Sequence, residues 1–263
     1  MPDDIKYLAL AESSLIGYVR SHAGAKGYWQ FMTRTARRSG LREDRMVDER
    51  FSFERSTQAA LKYLSSLKEM FGSWTLAMAA YNCGETRLKR EIELQRVTDY
   101  YRLNLPIETE RYIFRIAAIK IIMESPERYG FRVAPERIYK PLEYDTVQIN
   151  SGNRIHMSDI AQALDTDFKT IKELNPQILE YYTPTGRFEV NVPPGTGDRL
   201  KAVMKQLTPS SPRHRAGPYY VVRSGDTLHK ISQKTGVSVS ILREINDIEG
   251  SLIKIGQRLK LRP

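Results

Sequence analysis

Glu12 is the carboxylate whose setting could do chemistry. It follows Leu8 by four residues and precedes Leu15 by three, and Ile5, Leu8 and Leu15 share one face of a helical pattern. A carboxyl on such a face is desolvated where it meets a core or a cleft wall, and desolvation favours its protonated form. That form is what a general acid needs to protonate a glycosidic oxygen near neutral pH. The competing role is a helix glutamate paired with a neighbouring arginine. Position alone favours that structural role, since ion pairs perturb carboxylates more often than catalysis does.

The elements around Glu12 read as mainly helical over residues 3 to 133. Helices are expected over 56–70, with Ala59, Ala60, Tyr63, Leu64 and Leu67 at helical spacing, over 74–81, and over 108–123 behind Pro106. Gly24, Gly27, Gly40, Gly72 and Gly84 mark the bends. After Pro135 the pattern changes to a strand at 144–149, helices at 158–164 and 168–175, and a strand at 187–192. The same order returns at 219–223, 228–235, 239–246 and 255–261. Ile160, Ile171, Glu173, Leu174 and Asn175 align with Ile231, Leu242, Glu244, Ile245 and Asn246 at a constant offset, so the two units form a diverged repeat. A Pro- and Ser-rich stretch from Thr208 to Pro218 reads as the linker between them.

Composition limits the alternatives. With 263 residues, 41% hydrophobic and 27% charged, the chain can bury a core and is not of disordered type. No apolar run approaches the ~18–20 residues that span a bilayer, and Lys120 interrupts the most apolar stretch, 116–123. The single Cys83 excludes an intramolecular disulfide framework and a multi-cysteine metal site. The net charge of +10 suggests a polyanionic partner, yet the charges are scattered. Arg34, Arg37 and Arg38 on one expected helix, and Arg213, His214 and Arg215 in the linker, are the densest groups. Without an aromatic-basic motif, a nucleic-acid partner is not expected. The start shows neither the basic nor the apolar region of a signal peptide, and reads as a trimmed mature protein or an expression fragment.

Ordered motifs shift the balance at Glu12 from structure to catalysis. Ala9-Leu10-Ala11-Glu12-Ser13 resembles the first motif of the SLT domain of lytic transglycosylase family 1, which has a lysozyme-like fold. Gly24-Ala25-Lys26-Gly27-Tyr28-Trp29-Gln30-Phe31-Met32 resembles its second motif, GAxGLWQFMPxTA. Ala80-Tyr81-Asn82-Cys83-Gly84 resembles the third, AYNAG, and Leu105-Pro106-Ile107-Glu108-Thr109 with Tyr112 the fourth, LPxETxxY. Val47-Asp48-Glu49-Arg50 and the stretch from Ser125 to Phe131 resemble the membrane-bound D branch of the lytic murein transglycosylases. Val222-Arg223-Ser224-Gly225-Asp226-Thr227-Leu228 and Ile255-Gly256-Gln257-Arg258-Leu259 resemble a LysM domain, and the middle unit looks like a degenerate one.

The resemblance implies an α+β multidomain chain. A mainly α, lysozyme-like catalytic domain at 1–134 is followed by a degenerate LysM-like unit at 135–207, a linker at 208–217 and a LysM domain at 218–263, both units of βααβ type. It implies a peptidoglycan lytic transglycosylase that leaves 1,6-anhydro-N-acetylmuramic acid ends and uses Glu12 alone as acid and then base. Most glycosidases use two carboxylates, and the motifs hold no strong second one. For substrate binding the resemblance points to Ser21, Gln30, Met32, Tyr81, Asn82, Glu108 and Tyr112. Core packing is the equal alternative for Gln30, Met32 and Tyr112, and helix capping is the alternative for Glu108. Gly225, Asp226, Thr227, Leu228 and Ile248 would contact acetamido sugars, with a helix N-cap role equally fitting for Asp226. In the middle unit Ser151-Gly152-Asn153-Arg154 stands where the Gly-Asp-Thr signature would be, so a spacer role is expected there.

The sequence departs from the pattern at Thr33 (usually proline), Tyr28 (leucine or methionine), Cys83 (alanine) and Ile16-Gly17 (often Asn-Pro). These departures leave every side chain with a chemical task in place and bear on the shape of the cleft. No metal and no organic cofactor is implied. The implied partner is the glycan strand of peptidoglycan, in the periplasm or cell envelope, with the chain a monomer and any membrane anchor outside it. A muramidase that admits water, and a non-catalytic peptidoglycan-binding protein, are the competing readings.

Overall fold

The computed structural model describes residues 1–132, 134–204, 207 and 219–261. The expected linker at 208–217, with Arg213, His214 and Arg215, lies outside the described residues.

The first domain is helical. After a 3-10 turn over Asp3–Ile5, α1 spans Lys6–Ser13. It stops because Ser14 and Leu15 take left-handed backbone angles, φ 52° and 58°. Leu15 is therefore off the helix and exposed, and does not share a face with Ile5 and Leu8 as the spacing suggests. Short α2 (Thr33–Arg38) precedes α3 (Phe53–Phe71). The α3 helix starts where Ser52 accepts from the Arg55 amide and stops at Gly72, φ 79°. Next comes α4 (Trp74–Cys83), capped by Ser73, with Leu76, Ala77, Ala79 and Ala80 buried. Its small side chains let α3 and α6 approach closely. The polar helix α5 (Glu85–Gln95) buries only Leu88, which is why apolar periodicity does not reveal it. The last helix, α6 (Ile107–Glu124), presents Thr109, Tyr112, Ile113 and Ile116 as one buried stripe against α1 and α4.

In the middle unit β1 (Asp145–Ser151) and β2 (Gly186–Val192) pair antiparallel from Asp145↔Val192 to Ser151↔Gly186. Val147, Ile149, Phe188, Val190 and Val192 point into a core shared with α7 (Met157–Ala163) and α8 (Phe168–Leu174). An added helix, α9 (Gly197–Val203), closes this core through Leu200. The C-terminal unit repeats the plan with β3 (Tyr219–Val221), α10 (Leu228–Thr235), α11 (Val239–Glu244) and β4 (Arg258–Lys260) around a small core that includes Ile231, Leu242 and Leu259.

The middle unit is docked on the first domain by backbone. Asp48 N–H donates to Gln177 O (2.9 Å) and Leu179 N–H to Met46 O (2.8 Å). Arg55 pairs with Glu189 at 2.5 Å, and the Tyr144 hydroxyl donates to Glu54. Among the described residues no helix is long and apolar enough to cross a membrane.

Candidate active site

Glu12 sits in the last turn of α1, half-buried beside Leu8. Burial pushes its carboxyl up from 4.5 to about 7. The Tyr112 hydroxyl, which donates to Glu12 Oε1, opposes the shift, the charge of Glu108 adds to it, and Arg115 opposes it. The negative end of α1 works in the same direction as burial, since a helix C-terminus disfavours an anion. The geometry thus supplies an acid that holds its proton near neutrality and a phenol that stabilises the carboxylate once the proton has gone.

The second-motif loop, from Lys26 to Thr33, is held over this helix by its carbonyls. Ser13 Oγ donates to Tyr28 O (2.7 Å), the Tyr81 hydroxyl to Trp29 O (2.7 Å) and Arg50 Nη1 to Phe31 O (3.3 Å). Trp29 Nε1 reaches Thr57 Oγ1 at 2.9 Å, which ties the loop to α3. Gly27 has φ 80°, and a Cβ there would lie 1.9 Å from Arg50 O, so only glycine fits. Arg50 is fully buried and paired with Asp48, donating from Nε to Oδ1 (2.7 Å) and from Nη2 to Oδ2 (2.7 Å). Lys26 adds a bond to Asp48 Oδ2 at 3.2 Å, and the cations hold the Asp48 carboxyl below its usual range against the effect of burial.

The expected site residues fall into distinct roles. Tyr81 is half-buried, and its phenol is held well above the usual range, first by burial and then by the charge of Glu12. Tyr112 is 2% exposed and its hydroxyl donates to Glu12, which places it to orient that carboxyl. Asn82 Oδ1 accepts from Thr109 Oγ1 at 2.8 Å and locks α4 to α6. Gln30, at φ 47°, donates from Nε2 to Gly27 O (2.8 Å) and Val19 O (3.2 Å), so its amide nitrogen shapes the loop. Met32 is 45% exposed and leaves the core alternative without support. Ser21 is exposed, and its Oγ accepts from the Ala25 amide at 3.0 Å in the turn before the loop. Glu108 is exposed in the first turn of α6 and acts on Glu12 by its charge.

Two of the departures find partners. The Tyr28 ring lies where a side chain at Gly17 would be, with a Gly17 Cβ only 2.5 Å from Tyr28 Cζ. Tyr28 and Gly17 are therefore complementary changes. Thr33 Oγ1 accepts from Arg50 Nη1 at 2.9 Å, a bond that proline could not accept. Burial raises the Cys83 thiol, which keeps it protonated and unsuited to nucleophilic attack. Sequence reasoning missed Arg50, Asp48 and Ser13 as parts of the site. The stretch Val47-Asp48-Glu49-Arg50 was a signal for the first two.

In the C-terminal unit Gly225 has φ 77° and turns the chain into α10. The N-cap is Thr227, whose Oγ1 accepts from the Lys230 amide (3.1 Å), and not Asp226. The Asp226 side chain is 2% exposed. It is bound by Lys234 Nζ (2.6 Å), the Arg223 amide (2.9 Å) and the Tyr220 hydroxyl (2.8 Å). These donors lower its carboxyl from 3.8 to about 2, Lys234 foremost. The carboxylate is thus engaged in a structural tie. Leu228 is 3% exposed, its side chain in the core. Gly225 and Thr227 stay exposed, and Ile248 packs partly buried against the core.

Comparison with known proteins finds two domain matches. Residues 1–104 match the transglycosylase SLT domain and residues 220–262 the LysM domain. The chain thus carries an SLT domain and, beyond the middle unit, a LysM domain. Over 280 aligned residues, 99% of this chain, it is 31% identical to "Membrane-bound lytic murein transglycosylase D" of Escherichia coli K12, of which it spans 60%. The autolysin of Enterococcus faecalis is 41% identical over 87 residues, 31% of this chain and 10% of that protein. The "Probable peptidoglycan endopeptidase LytE" of Bacillus subtilis is 44% identical over 43 residues, 16% of this chain and 13% of its own length. The SLT match stops short of α6, yet α6 packs on α1 and brings Tyr112 to Glu12, so the structural domain is longer than the match.

Proposed function

We propose that the chain is a peptidoglycan lytic transglycosylase, cleaving between N-acetylmuramic acid and N-acetylglucosamine and leaving 1,6-anhydro-N-acetylmuramic acid ends. The observation that carries the reading is one desolvated carboxyl, Glu12, raised to about 7, with the buried phenol of Tyr112 donating to it. Glu12 protonates the leaving glycosidic oxygen, and the sugar's own 2-acetamido group supports the positive charge that develops at C1. The carboxylate so formed takes the proton of the muramoyl 6-hydroxyl as that oxygen attacks C1. One C1–O bond breaks, one C1–O6 bond forms, the proton returns to Glu12, and no water is consumed. A carboxyl near 7 suits both halves, because it gives and regains its proton at ambient pH.

In this reading Ser13, Tyr81 and Arg50 hold the second-motif loop, and exposed Met32 is an adaptable wall for the sugars. Gly225, Thr227 and Ile248 mark the loops by which the C-terminal unit holds acetamido sugars of the same polymer. The site of action is the bacterial cell envelope, on the periplasmic side, with the chain acting as a monomer. Mass spectrometry of the products from purified sacculi tests the reaction. Anhydro ends are expected, absent with Glu12→Gln. Reducing ends would make the enzyme a muramidase, and unchanged clearing by Glu12→Gln would remove Glu12 from the chemistry.

A further inference from the structure

A groove of about 320 Å³ lies away from Glu12, between the catalytic domain and the middle unit. That is within the size range of small-ligand clefts, ~300–1,000 Å³. One wall is the stretch from Ser52 to Arg55; the other is the outward face of β1 and β2. Along β1, Val147 and Ile149 face the core while Thr146 and Gln148 face the groove. We propose that this groove is a second saccharide-binding site, taking acetamido sugars of the glycan strand on the strand face of the middle unit. The proposal rests on the reading of the chain as a peptidoglycan-cleaving enzyme.

Chemistry selects the ligand class. The lining holds three arginines and three glutamates, so charge cancels and the groove gives no preference to a polyanion, although the chain carries +10. Donors and acceptors alternate across it. Gln148 Nε2 donates to Glu189 Oε1 at 3.2 Å and Arg187 Nη2 donates to Gln148 Oε1 at 2.7 Å. Gln148 and Arg187 are exposed and Glu189 is half-buried, all three line the groove, and Glu189 also accepts from Arg55 across it. A neutral ligand dense in hydroxyl and amide groups, each both donor and acceptor, suits such a surface. An apolar ligand would strand these groups without partners.

A chain of contacts runs from the groove wall toward Glu12. The Tyr144 hydroxyl donates to Glu54, and the neighbouring Phe53 ring lies 5.2 Å from the Tyr28 ring. The Tyr28 carbonyl is in turn held by Ser13, next to Glu12. The loop groove of the middle unit is closed, because Met157 N–H donates to Tyr181 O (2.9 Å) and Thr183 N–H to Ile155 O (2.9 Å). The unit therefore offers its strands.

The test uses the full chain carrying Glu12→Gln and a diazirine-bearing chitotetraose, with the cross-linked peptides mapped by mass spectrometry. Adducts are expected in peptides containing 144–149 and 187–191, and at least a tenfold loss of them with Gln148→Ala/Arg187→Ala. Unchanged hydrogen-exchange protection of the β1–β2 amides in the same variant reports that the middle unit is folded. Adducts confined to the catalytic cleft and the C-terminal loops would overturn the proposal, as would groove labelling that the double variant leaves intact. Reducing ends from sacculi would defeat the transglycosylase reading without touching this result. Anhydro ends with no groove adducts would defeat only the second site.

Discussion

The middle and C-terminal units share a plan and differ in what surrounds it. In both, an asparagine after the second helix latches it to the last strand. Asn175 donates to Ile171 O (2.8 Å) and Asn191 O (2.7 Å) and accepts from the Asn191 amide (2.8 Å). Asn246 does the same with Leu242 O (2.8 Å), Lys260 O (2.9 Å) and the Lys260 amide (2.6 Å). Equivalent N-cap positions hold His156 and Thr227. The middle unit then closes its loops by backbone bonds and binds the buried Asp48–Arg50 pair through Gln177. Among the described residues, no backbone bond joins loops 223–228 and 248–254 of the C-terminal unit. The latch is common to the two units, and they differ in whether the loops are tied to each other by backbone bonds.

The largest effect expected is at the dock. Asp48→Ala leaves buried Arg50 with only the longer ion pair to Glu43, 3.6 Å. This should cost about 3–5 kcal/mol in the urea transition followed by Trp29 and Trp74 fluorescence, while the C-terminal unit, followed by its own amide exchange, keeps its stability. The latch should weigh differently in its two settings. Asn175 is fully buried, and Asn175→Ala is expected to destabilise its unit by about 3 kcal/mol. Half-buried Asn246 should show about 1 kcal/mol on the same change, because water replaces part of what is lost.

Two carboxylates with opposite shifts extend the contrast. Glu12 holds its proton in the fold up to about 7 while the unfolded chain releases it near 4.5. Its burial therefore costs nothing below pH 4, the cost grows as pH rises from 4.5 to 7, and it is constant above. Glu12→Gln should stabilise the first domain by about 2 kcal/mol at pH 8, discounted for the water that reaches the cleft mouth, and not at pH 4. Asp226 is depressed from 3.8 to about 2, so its contribution is complete above pH 4 and vanishes as pH falls to 2. Asp226→Asn should lower the melting temperature of the C-terminal unit at pH 7 and leave it unchanged at pH 2. The smallest effect is at Gly225, φ 77°, where valine should weaken chitotetraose binding a few fold in calorimetry; Asn153→Ala, beside the closed loops of the middle unit, should not.

Local signals carried much of this structure. Apolar periodicity outlined α3, α4 and α6, and the expected α10 has the bounds Leu228–Thr235 found in the fold. The repeat was legible because Asn175 and Asn246 do the same work in both units. Leu15 misled because two non-glycine residues, Ser14 and Leu15, take left-handed angles with no glycine or proline to announce the stop. The polar surface of α5 hid it, and α9 is a short addition outside the repeat. The inward placement of the Asp226 and Leu228 side chains was not legible, because a signature marks a turn without saying which side chains face inward. Glu12 was legible as a residue. Its partner Tyr112 was visible only as part of a motif, because a contact across 100 residues leaves no local periodicity.

Titration of the Glu12 carboxyl by carbon-13 NMR, in the full chain with Glu12→Gln to assign the resonance, tests the central claim most directly. A midpoint near 7 is predicted, lower than that in Tyr112→Phe, which removes the donor to the carboxylate. A midpoint near 4.5 in the parent chain would leave Glu12 ionised at neutral pH and contradict its role as the acid.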